Sequence, residues 1–496
     1  MTRPYCMTWI LPSFVVFCAN RSFSSKRFVT GLTSKSPFRK IINSSVPRIP
    51  LSKMALSSCA ANNDLASVTD FVRSVRQQVV SAADVKPSVL PHLVIGNEAG
   101  DADSILSAIG LSYVKALQTA KDSDDNNKLI VPVVSIPADN LKFMRPETTY
   151  LLSDCAGMEN VKADVNDLIA INQIDLLPKQ ATLTLADHNF FRGKDGFDWV
   201  VTEIVDHHSD EGKHTDTCPS SKRAIAFEDS RALVASTTTL VAEQFYASAG
   251  TSKMPPSLAI LLLGTILLDS INMSPKAGKG TPRDEAAIRR LMDDTDWAQL
   301  TLPDEILAIE DDGKKGPAPD TTKLFNQLQN AKFSPEFWNG LTAEQAIRMD
   351  FKSFSIPVVN SSSMSSLGLG SILLEMGHYF DKHGSSFIES MARVIEEDQS
   401  ELLGLMFNTF GNGDQKRRQI ALASYDKPTL DKLIDYLTVD TTTTPDLQLE
   451  IVGREDGNAT GRNGEILHMI RLEQGNVAAS RKQVAPILME FFQKHR

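Results

Sequence analysis

Two apolar runs constrain the fold of this chain most. The run ATLTLA at residues 181–186 and the run WVVTEIV at residues 199–205 are rich in β-branched residues. Short strands that are hydrophobic along most of their length are typical of a parallel sheet whose two faces are both covered. Segments with helical periodicity alternate with further strand-like runs between residues 65 and 271, so the sequence predicts an open, mostly parallel α/β sheet.

The order of predicted elements indicates four parts. We expect a targeting leader without fixed structure at residues 1–63, a first α/β domain at 64–273, a linker at 274–285 and a second domain at 286–496. The linker prediction rests on SPKAGKGTPR at residues 274–283, which is rich in Pro, Gly and Lys. We also predict a strand at residues 150–153 and a polar loop at residues 454–464.

The leader is distinguished by its charge. Residues 1–63 contain nine basic residues and no acidic one, and their apolar run at 8–19 is too short to span a bilayer. This composition is typical of a mitochondrial or plastid targeting segment. The alternative is that translation starts at Met54, which would give a cytoplasmic protein.

The rest of the chain excludes several classes of protein. It is more acidic than the overall net charge of −10 implies, so we do not expect a nucleic-acid binder, which needs a basic surface. No other apolar run is long enough to cross a membrane; the longest, at residues 258–271, contains Asp269. Of five cysteines, three lie in the leader and none forms a CxxC pair, which argues against a disulfide framework or a zinc ribbon.

Acidic and histidine side chains follow the predicted strands. The candidates at strand ends are Asp101, Asp103, Asp187, His207 and His208, and Asp269 ends a long apolar helix. Ligands bind at the carboxyl ends of the strands in sheets of this kind. Carboxylate and imidazole groups suit Mg²⁺, Mn²⁺ or Co²⁺, and two such ions form a clamp for phosphoryl transfer in which a metal-bound hydroxide is the nucleophile.

Each candidate also has a simpler interpretation. Asp103 stands where a helix N-cap is favoured, the two histidines fit an ordinary loop, and Asp269 fits a surface position near a helix end. Arg481 and Lys482 open the last predicted helix, and Lys352 lies farther upstream. These cations suit phosphate oxygens, but a solvated helix face explains Arg481 and Lys482 equally well.

Five motifs, taken in order, resemble one family. GNEAGDADSILSA, LADHN, IVDHH, LLGTILLDSIN and ASRKQVAP resemble the DHH phosphoesterase superfamily, in the branch with a C-terminal DHHA2 domain. That branch includes family II inorganic pyrophosphatases, eukaryotic exopolyphosphatases and prune-like proteins. The resemblance covers residues 90–496 and implies a mostly parallel DHH domain, a smaller α/β DHHA2 domain with a mixed sheet, and an active site in the cleft between them.

The resemblance also implies a role for each site residue. Asp187 would bridge two divalent cations, with Asp101 on one of them and Asp103, His207 and Asp269 on the other. His208 would contact the substrate phosphate and assist proton transfer, and Lys352, Arg481 and Lys482 would bind phosphate. Asn97 stands where bacterial-type pyrophosphatases carry His; as an amide ligand it should shift the preference from Mn²⁺ or Co²⁺ towards Mg²⁺.

These implications lead to one expected function and two alternatives. We expect a monomeric, metal-dependent exopolyphosphatase that hydrolyses terminal phosphoanhydride bonds of inorganic polyphosphate. The close alternative is an inorganic pyrophosphatase, since the bond broken is the same. The distant alternative is a non-catalytic, prune-like regulator; the presence of His208 and of every implied ligand argues against it. The glycine-rich GGGH motif of the RecJ-like branch is absent.

Overall fold

The computed structural model describes twelve stretches of the chain: residues 66–82, 90–121, 128–162, 167–173, 175–229, 231–248, 253–310, 312–357, 364–410, 416–438, 447–460 and 464–494. The predicted leader at residues 1–63, including Met54, lies outside them. Within these stretches no helix has the length and apolar character that crossing a membrane requires.

The strands, numbered in chain order, are β1 His92–Ile95, β2 Ile130–Val134, β3 Ile169–Ala170, β4 Gln180–Ala186, β5 Asp198–Asp206, β6 Arg223–Ile225, β7 Phe227–Glu228, β8 Arg231–Ala232, β9 Leu307–Ile309, β10 Lys315–Pro319, β11 Phe351–Pro357, β12 Met364–Ile372, β13 Ser400–Phe410, β14 Lys416–Ser424, β15 Leu449–Thr460 and β16 Ile466–Gln474. The α-helices are Val68–Ala82, Ala102–Lys121, Pro146–Thr149, Thr237–Ser248, Pro256–Asp269, Pro282–Asp294, Thr321–Lys332, Pro335–Gly340, Ala343–Met349, Met376–His383, Ser385–Glu397, Lys427–Thr438 and Arg481–Lys494.

The first sheet confirms the predicted parallel architecture. Its strand order is β3-β2-β1-β4-β5-β6, and all of its pairings in the described residues are parallel. The chain leaves β1 towards one edge of the sheet and returns to β4 on the other side. The order therefore reverses between β1 and β4, and the loops that follow these two strands lie at the switch point, which is where doubly wound sheets bind ligands.

The second sheet is mixed. Its order is β11-β12-β13-β14-β16-β15, in which β12 and β13 are parallel and the other neighbours antiparallel. Among the described residues it has six strands, as many as the first sheet. Most of the polar stretch predicted as a loop at residues 454–464 instead continues β15 as far as Thr460, paired with β16. That prediction was wrong because backbone pairing with β16 outweighed the low strand propensity of Asp, Gly and Asn.

The strand predicted at residues 150–153 is also wrong. Tyr150–Cys155 is a π-helical stretch that continues directly from the helix Pro146–Thr149. Leu151, Leu152 and Cys155 are buried on it. A short apolar run has the same appearance in a buried strand and in a buried helix, so periodicity alone does not separate them.

In the part of the chain that the structure describes, buried side chains form three cores. One surrounds the first sheet, and the other two cover the second sheet. The first core includes Ala287, Trp297, Leu324 and Leu328, which lie beyond the predicted start of the second domain at residue 286. The change from one core to the next therefore falls near residue 330.

The predicted linker at residues 274–285 is docked against the first domain. Its end forms a capping box, in which the side chains of Thr281 and Asp284 each accept a hydrogen bond from the other's backbone N–H. The buried Asp284 carboxylate also accepts a hydrogen bond from the backbone N–H of Ala235 at 2.9 Å and one from the Thr239 hydroxyl at 2.6 Å. Asp284 therefore ties this segment to the helix Thr237–Ser248.

Candidate active site

Asp187 occupies the centre of the polar cluster. It follows β4 directly with a φ of 64°, a left-handed conformation that Asp tolerates better than most residues. Its side chain is 2% exposed. One carboxylate oxygen, Oδ2, accepts a hydrogen bond from Asn97 Nδ2 at 2.6 Å, and the other, Oδ1, lies 3.4 Å from His207 Nε2 and 3.6 Å from His208 Nδ1. Strained backbone of this kind concentrates at functional sites.

Asn97 faces the cluster through its amide nitrogen. Nδ2 donates to the Asp187 carboxylate and to the Asp187 carbonyl, while Oδ1 accepts from the backbone N–H of Ala99 at 2.8 Å. In this arrangement Asn97 orients Asp187, and its oxygen is engaged within its own loop. The metal-ligand role predicted for Asn97 is therefore not the contact that the structure shows.

The two aspartates after β1 both accept hydrogen bonds from backbone N–H groups at helix N-termini. Asp101 Oδ1 accepts the backbone N–H of Ser104 at 3.0 Å, so Asp101 rather than Asp103 caps the helix Ala102–Lys121. Asp103 reaches the start of a different helix, Thr237–Ser248, and accepts the backbone N–H groups of Thr237 and Thr238 at 2.9 and 3.1 Å. Asp103 Oδ2 also lies 3.7 Å from His207 Nε2, so capping does not remove it from the cluster.

His207 presents one ring nitrogen to the carboxylates. Its Nδ1 lies 3.1 Å from the carbonyl oxygen of Val234, which requires a proton on Nδ1. Nε2 is then the unprotonated nitrogen, and it points at Asp103 and Asp187. Burial lowers the pKa of His207 to about 4, so the ring is neutral at physiological pH. A carbonyl that fixes the tautomer in this way is the usual support of a metal-binding histidine.

Asp206 orients His208. The fully buried Asp206 Oδ1 accepts the backbone N–H groups of His207 and His208 and lies 2.8 Å from His208 Nδ1. Asp206 Oδ2 accepts from Asn189 Nδ2 at 2.6 Å. Although burial alone would raise the pKa of Asp206, the two histidines and Asn189 hold it well below its ordinary value.

Asp269 ends the helix Pro256–Asp269 beside these groups. Its buried Oδ2 has no hydrogen-bond partner in the described part of the chain. Burial, followed by the charge of Asp103, raises the pKa of Asp269 to about 8. Burial and neighbouring carboxylates also raise the pKa values of Asp103 and Asp187. Carboxylates packed this closely do not all ionise without compensating positive charge.

This donor set suits divalent cations. Asp187, His207 and His208 each offer a ligand atom within 4.8 Å of the others, in the part of the chain that the structure describes. A bound cation would provide a partner for the unpaired oxygen of Asp269. Its charge would also counteract the rise in the pKa values of Asp103 and Asp187. His208 is the exception within this group, because its Nδ1 is already engaged with Asp206.

Cations of the second domain lie near the cluster. Burial raises the pKa values of Asp101 and Asp187, and the charge of Lys352, on β11, opposes this effect at both residues. Lys482 is exposed at the start of the last helix, and after burial its charge is the largest influence lowering the pKa of His207. Arg481 is instead hydrogen-bonded to Asp350 at 2.7 Å. The sequence predicted Lys352, Arg481 and Lys482 as phosphate-binding cations, and the charges of Lys352 and Lys482 act on residues of the Asp/His cluster.

Several supporting residues were missed from the sequence. Asn189 and Asp206 lie inside the motifs LADHN and IVDHH, but their pairing joins positions 17 residues apart. The run of hydroxyl residues at 236–239 was a usable signal, because such residues favour helix starts; Ser236 and Thr237 bind Asp103. Arg145 gave no local signal, since its partner Asp350 lies 205 positions later.

Comparison with known proteins agrees with this arrangement. The sequence profile of the DHH family, N-terminal domain, matches residues 92–266, and that of the DHHA2 domain matches residues 326–491. The rat exopolyphosphatase PRUNE1 is 26% identical over 402 residues, which span 80% of this chain and 75% of the rat protein. Human PRUNE1 is 27% identical over 402 residues, with the same shares covered.

A fungal protein and one solved structure are also similar. A candidate exopolyphosphatase of Schizosaccharomyces pombe is 27% identical over 434 residues, spanning 84% of this chain and 94% of that protein. The crystal structure of a candidate family II inorganic pyrophosphatase of Methanococcus jannaschii is 18% identical, with a TM-score of 0.46 over 81% of this chain and 99% of that chain. On the two profile matches, which together cover more than half of the sequence, this chain belongs to the DHH family, in the branch that carries a DHHA2 domain.

Proposed function

We propose that this protein is a metal-dependent hydrolase of phosphoanhydride bonds, and specifically an exopolyphosphatase that removes terminal phosphate from inorganic polyphosphate. The observation that carries the proposal is the Asp/His cluster that follows strands of the first sheet, on which the charges of Lys352 and Lys482 act. The relatives named as exopolyphosphatases support the choice of substrate.

The cluster would hold two divalent cations. Asp101, Asp103, Asp187, His207 and Asp269 are the proposed ligands, and Asn97 holds Asp187 in place. Mg²⁺ is the expected ion because carboxylate oxygens outnumber imidazole nitrogens in this set, with Mn²⁺ or Co²⁺ as substitutes. Bound divalent cations neutralise phosphate charge and make coordinated water more acidic.

The remaining groups act on the substrate. Lys352 and Lys482 bring positive charge to the phosphates, whose charged oxygens form strong charge-assisted hydrogen bonds. His208 has Nδ1 engaged by Asp206, so Nε2 is the ring nitrogen that exchanges a proton with the reacting phosphate. In the overall reaction, water adds to the terminal phosphorus and the P–O–P bond breaks. The shortened chain leaves with the bonding electrons, and the proton of the water passes to the leaving oxygen or to the solvent.

A panel of substrates tests the proposal. The full chain would be assayed for phosphate release with Mg²⁺ on pyrophosphate, tripolyphosphate and long polyphosphate, with Asp187→Asn as the blank. We expect release from tripolyphosphate and longer chains that stops at pyrophosphate. Hydrolysis of pyrophosphate alone would replace the proposal with an inorganic pyrophosphatase. Absence of release from all three, with Mg²⁺ or Mn²⁺, would favour the non-catalytic regulator.

A further inference from the structure

Asp350 is shared by two arginines that lie far apart in the sequence. Its Oδ1 is 3.2 Å from Nη2 of Arg145, in the first domain, and 2.7 Å from Nη2 of Arg481, at the start of the last helix. Arg481 Nη1 donates in addition to the Asp350 carbonyl at 2.7 Å and to the Leu369 carbonyl at 3.4 Å. One carboxylate therefore joins both domains.

These contacts fix the orientation of the Arg481 guanidinium group. A guanidinium has five N–H donors. In the described part of the chain, three of the donors of Arg481 are engaged by Asp350 and Leu369. The Nε–H and one Nη2–H remain, and they lie along a single edge of the guanidinium plane. Two parallel N–H donors on one edge match two oxygens of a phosphate group.

Arg145 is too deeply buried to contact substrate itself. Its side chain is 5% exposed, its Nη2 also donates to the Met349 carbonyl at 3.4 Å, and its Nη1 lies 3.9 Å from Glu147. A buried guanidinium requires a charged partner, and the shortest ion pair of Arg145 is with Asp350. The residue that holds Arg481 is therefore also the closest charged partner of Arg145.

We propose that Arg145 is a positioning residue that fixes, through Asp350, the orientation in which Arg481 binds a substrate phosphate. The inference rests on the proposed function, because it assigns Arg481 to the phosphate of the same substrate. The competing view is that Arg145 and Asp350 only hold the two domains together. In that case their loss lowers stability without a specific effect on phosphate binding.

Kinetics of the full chain separate the two views. Arg145→Met should raise KM for tripolyphosphate about tenfold and change kcat much less, as expected when a charge-assisted contact to bound phosphate is weakened. The double variant Arg145→Met/Arg481→Met should be no worse than Arg481→Met alone, because Arg145 acts through Arg481. Arg76→Met is the matched control: Arg76 is a half-buried arginine that binds the Leu168 carbonyl, away from the cluster, and KM should not change.

Two further measurements keep the proposal testable. If Arg145→Met does not fold, Asp350→Asn removes the negative charge that holds both arginines and should raise KM in the same direction. The affinity of the metal-free protein for tripolyphosphate, measured by calorimetry in EDTA, does not depend on turnover. This affinity should fall about tenfold in both variants.

An unchanged KM and an unchanged affinity, or effects of Arg145→Met and Arg481→Met that multiply, would overturn the positioning role. A wild-type protein that binds tripolyphosphate in this Arg145-dependent way but releases no phosphate would overturn the proposed function and leave the positioning role standing.

Discussion

The carboxylate of Asp206 lies 2.8 Å from Nδ1 of His208 and directs that imidazole ring. Burial lowers the pKa of His208 to about 3 even though Asp206 opposes the shift, so the ring is neutral at physiological pH. The aspartate that begins the DHH triplet therefore acts on the histidine that ends it. The central histidine is oriented separately, by the Val234 carbonyl.

Loss of the Asp206 contact should reduce turnover. Asp206→Asn retains the shape of the side chain but removes the charge that orients His208, and supporting residues of this kind typically contribute about 10–100-fold to activity. We expect kcat for tripolyphosphate to fall by that factor with little change in KM. Asp210→Asn is the control, since the exposed Asp210 follows His208 closely in the chain and pairs with Arg223 instead of a histidine. Equal effects of the two substitutions would contradict the orienting role of Asp206.

Neutralising Asp269 should stabilise the metal-free protein. The folded-state pKa of Asp269 is about 8, above the ordinary value of 3.8, so the unfolded chain loses its proton first. Stability is then lost as pH rises from about 4 towards 8. In EDTA at pH 8, Asp269→Asn should raise the free energy of unfolding by about 1–3 kcal/mol, and the variant should therefore unfold at a higher temperature than wild type.

The same variant should respond less to Mg²⁺. Ligand binding to the folded state alone raises the unfolding temperature, and Asp269→Asn removes one proposed ligand. Thermal unfolding with and without Mg²⁺ checks both halves of this prediction. An Asp269→Asn protein that is less stable than wild type in EDTA, and equally stabilised by Mg²⁺, would mean that Asp269 is an ordinary structural residue.

Lys482 should contribute to substrate affinity. It is exposed, and it is close enough to His207 to lower the pKa of that ring. Lys482→Ala should raise KM for tripolyphosphate about tenfold, the typical effect of losing one charge-assisted phosphate contact. Lys494, at the opposite end of the same helix and paired with Glu490, provides the control in Lys494→Ala. A KM for Lys482→Ala that matches this control would place Lys482 on a merely solvated helix face.

Buried His92 should make the fold sensitive to acid. Its ring nitrogens contact the hydroxyls of Thr182 and Thr184 at 2.7 and 2.8 Å, and burial lowers its pKa to about 3. When the pH falls below 6.5, the ordinary pKa of histidine, His92 is protonated in the unfolded chain but stays neutral in the folded protein. Stability therefore falls as pH drops, by up to about 1.4 kcal/mol per pH unit from this residue.

The variant His92→Gln should show a shallower decline. It is expected to be less stable at pH 7, because contacts with the threonines are lost, but its unfolding temperature should depend less on pH between 6.5 and 4. Because His92 begins β1, at the end of the strand opposite the cluster, phosphate release by the folded variant should be unchanged. Parallel pH profiles of the two proteins would refute the assignment of acid sensitivity to His92.

Local patterns located the strands of the first domain that carry the candidate site. Asp101, Asp187 and His207 each follow an apolar run, and parallel strands bring their carboxyl ends to one edge, so proximity followed from strand direction. The second sheet was harder to predict. Residues 364–372 and 400–410 form β12 and β13 with glycines inside the strands, which weakens the local strand pattern.

Long-range contacts gave no local signal. Nothing near Arg145 in the sequence indicates that Asp350 is its partner, because two different domains must first pack together. The direction of the Asn97 amide was equally hidden, since the bond from Ala99 that engages its oxygen depends on the turn of the loop. Sequence reasoning thus identified which residue types meet, while the structure determined which atoms face each other.

The most direct test of the account is restoration of activity after metal removal. The full chain would be treated with EDTA, dialysed, and assayed for phosphate release from tripolyphosphate as Mg²⁺ is added back, in parallel with Asp187→Asn. We predict that the metal-free protein is inactive, that Mg²⁺ restores its activity, and that the variant stays inactive at every Mg²⁺ concentration although it is folded. Phosphate release that persists in EDTA, or that Asp187→Asn retains, would contradict the assignment of catalysis to the Asp/His cluster.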